Sequence, residues 1–129
     1  MLNRYSLPEM RLLWSEEAKF TIWLNVELAF MQAREEAGEI PVSATQACKT
    51  AAVIDVARIE AIEAETVHDM IAFVKQIQES LRAKDAGQYA DLLHQKLTSY
   101  NVEDPALVLR LRKACYLIDE KLLALIAAL

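Results

Sequence analysis

The two histidines of the chain lie in two short polar segments that interrupt a sequence otherwise patterned for helices. His68 is in the first polar segment, residues 66–69, and His94 is in the second polar segment, residues 94–101. Imidazole is the side chain that changes charge near neutral pH, and hydroxyls with free loop amides bind carboxylate or phosphate oxygens. Both segments also carry hydroxyl groups. Together they predict a site for an anionic ligand.

Helices must position these segments, because the chain has only two glycines and three prolines and so little material for sheets or long loops. Ser15 is a plausible N-cap for a first long helix that ends at Gly38. Helical spacing of apolar residues predicts further segments at 43–52, 55–66, 70–81 and, as a short turn, 89–93. The sequence therefore predicts an all-α fold.

Composition narrows the class of protein. With 129 residues and 54% hydrophobic content, the chain can bury a core of its own. The formal net charge of −5 argues against a nucleic-acid surface, and the basic group Arg110, Arg112 and Lys113 is interpreted as one solvated helix face. Cys48 and Cys115 have no paired spacing, which is typical of reduced thiols rather than of a disulfide framework or a metal site. With no secretory signal and no apolar span of membrane length, we expect a cytoplasmic protein that does not enter a membrane.

The last segment of the sequence predicts assembly. Its apolar residues alternate spacings of three and four, the pattern of a coiled coil or long-helix bundle: Val108, Leu111, Cys115, Ile118, Leu122, Leu125 and Leu129. The pattern stops without a capping glycine or proline, so residue 129 is interpreted as a cut in a longer chain. Because burying one leucine contributes roughly 1.5 to 3 kcal/mol, we expect a dimer or a higher homo-oligomer formed through this helix.

Four motifs resemble those of one enzyme family. In chain order they are Arg-Tyr-Ser-Leu-Pro-Glu-Met at 4–10, Trp-Ser-Glu-Glu at 14–17, the run that ends in Thr-Val-His-Asp at 59–69, and Leu-Thr-Ser-Tyr at 97–100. Their order and spacing are similar to the N-terminal portion of adenylosuccinate lyase, a member of the fumarase and aspartase superfamily. The resemblance covers nearly the whole chain. It implies the N-terminal helical domain of that superfamily, residues 1–104, followed at 105–129 by the start of a long helix of the central bundle.

The resemblance also implies a reaction. Family members remove a proton beta to a leaving nitrogen or oxygen, pass through a carbanion stabilised by a carboxylate, and release fumarate without a metal or redox cofactor. The substrates are adenylosuccinate and the succinylaminoimidazole-carboxamide nucleotide. The family builds each active site from three subunits of a tetramer. Its general acid histidine and its general base serine would lie beyond residue 129, so we expect the isolated chain to be inactive.

Carried over residue by residue, the resemblance gives an active-site imidazole, His68, and a set of groups that hold the substrate. The set is Arg4, Tyr5, Asp69, His94, Thr98 and Ser99. In the family, the residues that match Arg4 and Tyr5 reach the nucleotide phosphate. The residues that match His94, Thr98 and Ser99 bind the phosphate or the succinyl end.

The chain departs from the family pattern at three positions. Lys96 stands in place of a glycine, and because lysine disfavours the left-handed backbone, we expect the loop before Thr98 to differ in shape. Asn101 replaces an aspartate and loses its charge. Pro105 replaces a threonine and can open a helix at its first position, with Asp104 as the N-cap.

Structural roles remain open for the same residues. Thr66 and Asp69 fit a capping box, which would leave His68 an ordinary exposed histidine, and Thr98 with Ser99 could be simple turn residues. A second hypothesis follows: a lyase-derived helical module that associates through its final helix and catalyses nothing. Continuation of the reading frame past residue 129 into the rest of a lyase would exclude it.

Overall fold

The computed structural model describes residues 3–129, and every regular element within that range is helical. Six α-helices follow one another: α1 Pro8–Leu13, α2 Glu16–Glu36, α3 Ala44–Ala51, α4 Val56–Thr66, α5 Asp69–Arg82 and α6 Ser99–Ala128. Two 3₁₀ turns, Asn3–Tyr5 and Gly87–Leu92, complete the described elements. The all-α prediction is confirmed.

Helix ends follow the capping residues expected from the sequence. The Ser15 side chain accepts a hydrogen bond from the Ala18 amide at 3.2 Å, and Asp55 accepts one from the Arg58 amide at 3.0 Å. Gly38, at φ 72°, follows the end of α2 with the left-handed backbone that favours glycine. These bonds and this turn fix where α2 and α4 begin and where α2 ends.

An aromatic cluster joins α2 to α5 in the centre of the core. The Phe20 and Phe73 rings stack with centroids 5.7 Å apart, and Trp23 meets both edge-on at 5.4 and 5.5 Å. All three side chains are buried. Phe20 and Trp23 are therefore core residues, and their packing sets the position of the helix that begins after His68.

Helix α6 begins earlier than the sequence predicted. Its first residue is Ser99, so Pro105 lies inside the helix and Asp104 is not an N-cap. Proline inside a helix removes one backbone hydrogen bond at a cost of about 3 kcal/mol. Burial of Val102 and Ala106, on either side of the proline, offsets that cost. The predicted domain division after residue 104 falls inside this continuous helix and stays a prediction.

Arg110 is buried, which corrects its assignment to a solvated basic face. It lies at intervals of four residues from Ala106 and Ala114, on the inward face of α6. Its guanidinium donates two hydrogen bonds to the carbonyl of Leu13, at 3.1 and 3.2 Å, and its Cζ lies 4.6 Å from the centroid of the Trp14 ring. Leu13 is the last residue of α1, so Arg110 satisfies a carbonyl that has no partner within its own helix.

Replacing Arg110 by alanine is expected to lower the free energy of unfolding by about 2 to 3 kcal/mol, because hydrogen bonds to a charged group and a covered aromatic face are both lost. Urea denaturation followed by circular dichroism measures this change. Arg112→Ala, at an exposed position of the same helix, is the matched control and should stay within about 0.5 kcal/mol of the parent. An equal effect of the two substitutions would contradict the assigned role.

The inward face of α6 ends at Ala114, and beyond it the helix is largely uncovered. We call the following residues the apolar face of α6; each is exposed, at fractions from 47 to 99%: Val108, Leu111, Ile118, Leu122, Leu125 and Leu129. Cys115, on the same seam, is also exposed. Cys48 is buried in α3, and burial raises the pKa of its thiol to about 11. Across residues 3–129 we find no helix with the length and hydropathy needed to cross a membrane.

Candidate functional site

The first polar segment forms the junction between α4 and α5. Val67 ends α4 in a left-handed conformation, at φ 53°, and His68 is the N-cap of α5 without a capping hydrogen bond from its side chain. The Thr66 hydroxyl donates to the carbonyls of Ile62 and His68, at 3.0 and 3.3 Å. Thr66 and Asp69 therefore do not form the capping box considered from the sequence. The imidazole of His68 is left for another role, with 43% of its side chain exposed.

A groove of about 410 Å³ brings part of the second polar segment to His68. Ser99, the first residue of α6, lines it together with His68 and Asp69. The other lining residues are Glu63, Val67, Tyr100 and Glu103. Three of the predicted site residues thus meet in one open groove, although Ser99 lies thirty positions after Asp69 in the sequence.

Carboxylates dominate the charge of this groove. Burial raises the pKa of Glu103, the negative charge of Asp69 raises it further, and His68 opposes both effects. Nδ1 of His68 lies 3.7 Å from Oδ1 of Asp69. The same Asp69 oxygen accepts a hydrogen bond from the Met70 amide at 2.7 Å. An imidazole among carboxylates can orient a ligand or exchange a proton, but this groove alone offers little attraction to an anion.

Thr98 is the N-cap of α6, and Asn101 completes the turn. Oδ1 of Asn101 accepts hydrogen bonds from both the amide and the hydroxyl of Thr98, each at 2.9 Å. Asparagine therefore keeps the acceptor that an aspartate would supply at this position, without the charge. Thr98 itself does not line the groove at His68; its place in a substrate site stays a prediction.

His94 is held against α2 by a residue that the sequence analysis did not single out. Oε2 of Glu27 accepts from the His94 amide at 2.9 Å, and Oε1 lies 2.6 Å from Nδ1 of the ring. Glu27 is completely buried. The signal in the sequence was a glutamate at helical spacing from Trp23 and Met31, both core residues. Its partner could not be predicted, because it lies 67 positions away.

Lys96 adopts the left-handed backbone that lysine was expected to disfavour, and the expected difference in loop shape stays a prediction. The residue has φ 70°, the left-handed conformation that glycine adopts at low cost. Its ammonium group lies 2.8 Å from Oε2 of Glu39. Neighbouring residues of the loop are hydrogen-bonded to α2. Arg34 donates to the Leu92 carbonyl and to the Gln95 side chain.

The left-handed backbone at Lys96 leads to a prediction in which two substitutions are compared with each other. Both Lys96→Gly and Lys96→Ala remove the exposed ion pair, but only glycine relieves the left-handed backbone. The glycine variant should therefore be more stable than the alanine variant by about 1 kcal/mol. Thermal and urea unfolding of the two variants measure the difference. If alanine were as stable as glycine, the strain assigned to residue 96 would not exist.

Arg4 and Tyr5, predicted to reach a phosphate, lie in the first 3₁₀ turn. Both are exposed, and the Arg4 guanidinium lies 4.8 Å from the centroid of the Tyr5 ring. Neither lines the groove at His68. Among residues 3–129, no cluster of three or more His, Cys, Asp or Glu side chains is arranged to hold a metal ion. Of the predicted site residues, His68, Asp69 and Ser99 thus share the groove, while Arg4, Tyr5 and His94 lie outside it.

The arrangement of helices is shared with a solved enzyme of known class. A fumarate lyase from Mesorhizobium sp. BNC1 superposes with a TM-score of 0.78 over 93% of this chain and 28% of that one, at 22% sequence identity. This likeness confirms the fold: the chain has the all-α architecture of the N-terminal domain of a fumarate lyase.

Sequence comparison names the relatives more specifically. The chain is 43% identical over 129 residues to the adenylosuccinate lyase of Synechocystis sp. (strain PCC 6803) and 42% identical over 122 residues to that of Thermotoga maritima. It spans 29% and 27% of these relatives' own length. No protein-family model matches the chain. The resemblance recognised in the four motifs is confirmed: over most or all of its length the chain is similar to part of the adenylosuccinate lyases.

Proposed function

We propose that this chain is the substrate-positioning N-terminal part of an adenylosuccinate lyase. In the assembled enzyme it would help to eliminate fumarate from adenylosuccinate and from the succinylaminoimidazole-carboxamide nucleotide. Its own contribution is orientation and electrostatic complementarity, while the groups that move protons come from other parts of the enzyme. His68 supplies an active-site imidazole, and Arg4, Tyr5, Asp69, His94, Thr98 and Ser99 hold the substrate.

The observation that carries this proposal is the meeting of His68, Asp69 and Ser99 in one groove. These residues come from the two polar segments whose residue types predict a site for an anionic ligand. The side chain of His68 makes no capping bond and is half-exposed, so its imidazole is free to meet a ligand. A purely structural histidine at a helix start would be expected to cap it or to be replaced by a better cap.

The charge of the groove supports a shared active site. Glu63, Asp69 and Glu103 surround a single imidazole, and a ligand with phosphate and carboxylate groups would be repelled by them. Binding therefore requires cations from outside the groove. Arginine and lysine side chains of neighbouring subunits, together with Arg4, are the proposed source.

Assembly is proposed to proceed through the apolar face of α6. The large side chains of this face are about half-exposed or more in the single chain. The same helix from other copies is the proposed partner, which would give a homo-oligomer and bring several chains to each active site.

A chimeric enzyme tests the proposed function. Residues 1–129 would replace the corresponding N-terminal segment of the Thermotoga maritima lyase, and cleavage of adenylosuccinate would be followed by absorbance. We expect measurable turnover by the chimera and only background from the isolated chain. A chimera that folds and assembles like the parent lyase, yet has no activity, would overturn the proposal.

The competing proposal is a helical module that associates through α6 and has no catalytic role. The uncovered face of α6 favours association equally under both proposals, so oligomeric state does not separate them. Activity of the chimera does, because a segment that has lost the groove's function cannot support turnover.

A further inference from the structure

The second polar segment is fixed to α2 by two buried charged residues. Glu27 and Arg34 lie seven positions apart and so share one face of the helix. Arg34 donates to the Leu92 carbonyl at 3.3 Å and to the side chain of Gln95. Glu27 contacts His94, between these two points. The position of the His94 ring is therefore determined by α2 as well as by the loop itself.

Both carboxylate oxygens of Glu27 contact the same residue. One accepts from the backbone amide of His94, which has a left-handed φ of 59°, and the other lies 2.6 Å from Nδ1 of the ring. This pair of contacts fixes the backbone and the ring of His94 together. The ring nitrogen that Glu27 does not contact is Nε2, on the opposite edge of an imidazole whose side chain is 21% exposed.

A structural anchor would not require a charge at position 27. Glutamine has the same shape and could satisfy the same two atoms, whereas a completely buried carboxylate is unfavourable unless it is paired. Burial raises the pKa of Glu27, and the hydrogen bond with His94 opposes that rise. Because a net charge is costly to bury, the Glu27–His94 pair is favoured in its overall neutral form, with either a carboxylate beside an imidazolium or a carboxylic acid beside a neutral ring. In both arrangements of that neutral pair Nε2 carries a hydrogen.

We propose that Glu27 is a positioning residue that acts through His94, holding its ring so that Nε2–H donates a hydrogen bond to an anionic oxygen of the ligand. The proposal rests on the proposed function for the identity of that ligand, a nucleotide with a phosphate end and a dicarboxylate end. An imidazolium stabilised by a buried carboxylate donates a charge-assisted hydrogen bond, which is stronger than the bond from a neutral ring. Glu27 itself does not touch the ligand.

The first test uses the chain as it is, labelled with ¹⁵N in histidine. Nuclear magnetic resonance should find Nε2 of His94 protonated at neutral pH and a far-downfield proton shared between Nδ1 and Glu27. In Glu27→Gln that proton resonance should disappear, while Glu39→Gln, which alters an exposed carboxylate beside the same loop, should leave it in place. An Nε2 without hydrogen in the parent chain, or an unchanged resonance in Glu27→Gln, would overturn the proposal even if other variants failed to fold.

The second test is a double-mutant cycle in the chimeric lyase. Glu27→Gln should lower kcat/KM by about 10- to 100-fold, chiefly through KM, since a charge-assisted hydrogen bond to the substrate is weakened. In a His94→Ala background the same substitution should have almost no further effect, because its route of action is gone. Losses that multiply independently would show Glu27 to be a structural residue only and would overturn the proposal.

Product inhibition identifies which anionic end meets His94. If it is the phosphate, Glu27→Gln should weaken inhibition by adenosine monophosphate and leave inhibition by fumarate unchanged; the reverse indicates the dicarboxylate end. Weakening of neither would contradict the proposal. The two proposals fail separately: an inactive chimera with the shared proton present in the chain overturns the proposed function alone. An active chimera without that proton overturns the role of Glu27 alone.

Discussion

Replacing His68 by asparagine is expected to stabilise the fold while nearly abolishing turnover of the chimeric lyase. His68 is the N-cap of α5 but makes no capping bond through its side chain. Asparagine is among the best N-cap residues, so the free energy of unfolding should rise by about 0.5 to 1 kcal/mol. Loss of the imidazole should lower kcat at least about 100-fold, as is usual when a group that positions or stabilises the reacting substrate is removed.

Two measurements separate these effects. Urea unfolding of the 129-residue chain gives the stability change, and absorbance assays of the chimera give the turnover. Asp55→Asn, an equivalent change at the N-cap of α4 and outside the groove, is the control and should alter turnover little. Normal turnover in His68→Asn would remove His68 from the active site.

The isolated chain should form dimers or larger assemblies, and two charges on the apolar face of α6 should dissociate them. Leu111 and Leu122 are about half-exposed in the single chain. Burying each contributes roughly 1.5 to 3 kcal/mol, so Leu111→Glu with Leu122→Glu should weaken association at least about 100-fold. Introducing charge into the seam adds repulsion between equivalent residues of the partner helices.

Sedimentation velocity over a range of concentrations measures this association. Arg112→Glu also changes the charge of α6, but it lies off the seam and should leave the oligomer intact. A parent chain that remains monomeric at high concentration, or a double variant that associates as strongly as the parent, would show that another surface mediates assembly.

Local signals in the sequence predicted most helix ends, because those ends depend on contacts between near neighbours. Ser15 and Asp55 cap helices through amides three positions away, and Gly38 ends α2 by its own backbone conformation. The start of α6 was predicted wrongly because proline was treated as a boundary. Helix α6 continues through the proline because Val102 and Ala106 are buried against other helices. Local helix propensity does not contain that information.

The candidate site was also predictable in part. Side-chain types and motif order identified His68, Asp69 and Ser99 before their meeting in one groove was known. Charged residues were harder: Arg110 was taken as solvated although its spacing of four from Ala106 and Ala114 places it on the buried face. Glu27 was overlooked since its role depends on His94, far along the chain. The periodicity of apolar residues does not show which polar groups pair when they lie far apart in the sequence.

The reactivity of the two thiols can report on unfolding and on assembly of the chain. Thiolate is the reactive form of cysteine, so Cys48, buried and with its pKa raised to about 11, should resist maleimide reagents until the chain unfolds. Cys115, exposed along the apolar face of α6, should label readily in a lone chain and become shielded when a second helix packs there. Labelling kinetics on unmodified protein would thereby follow unfolding at one sulfur and assembly at the other, without any engineered probe.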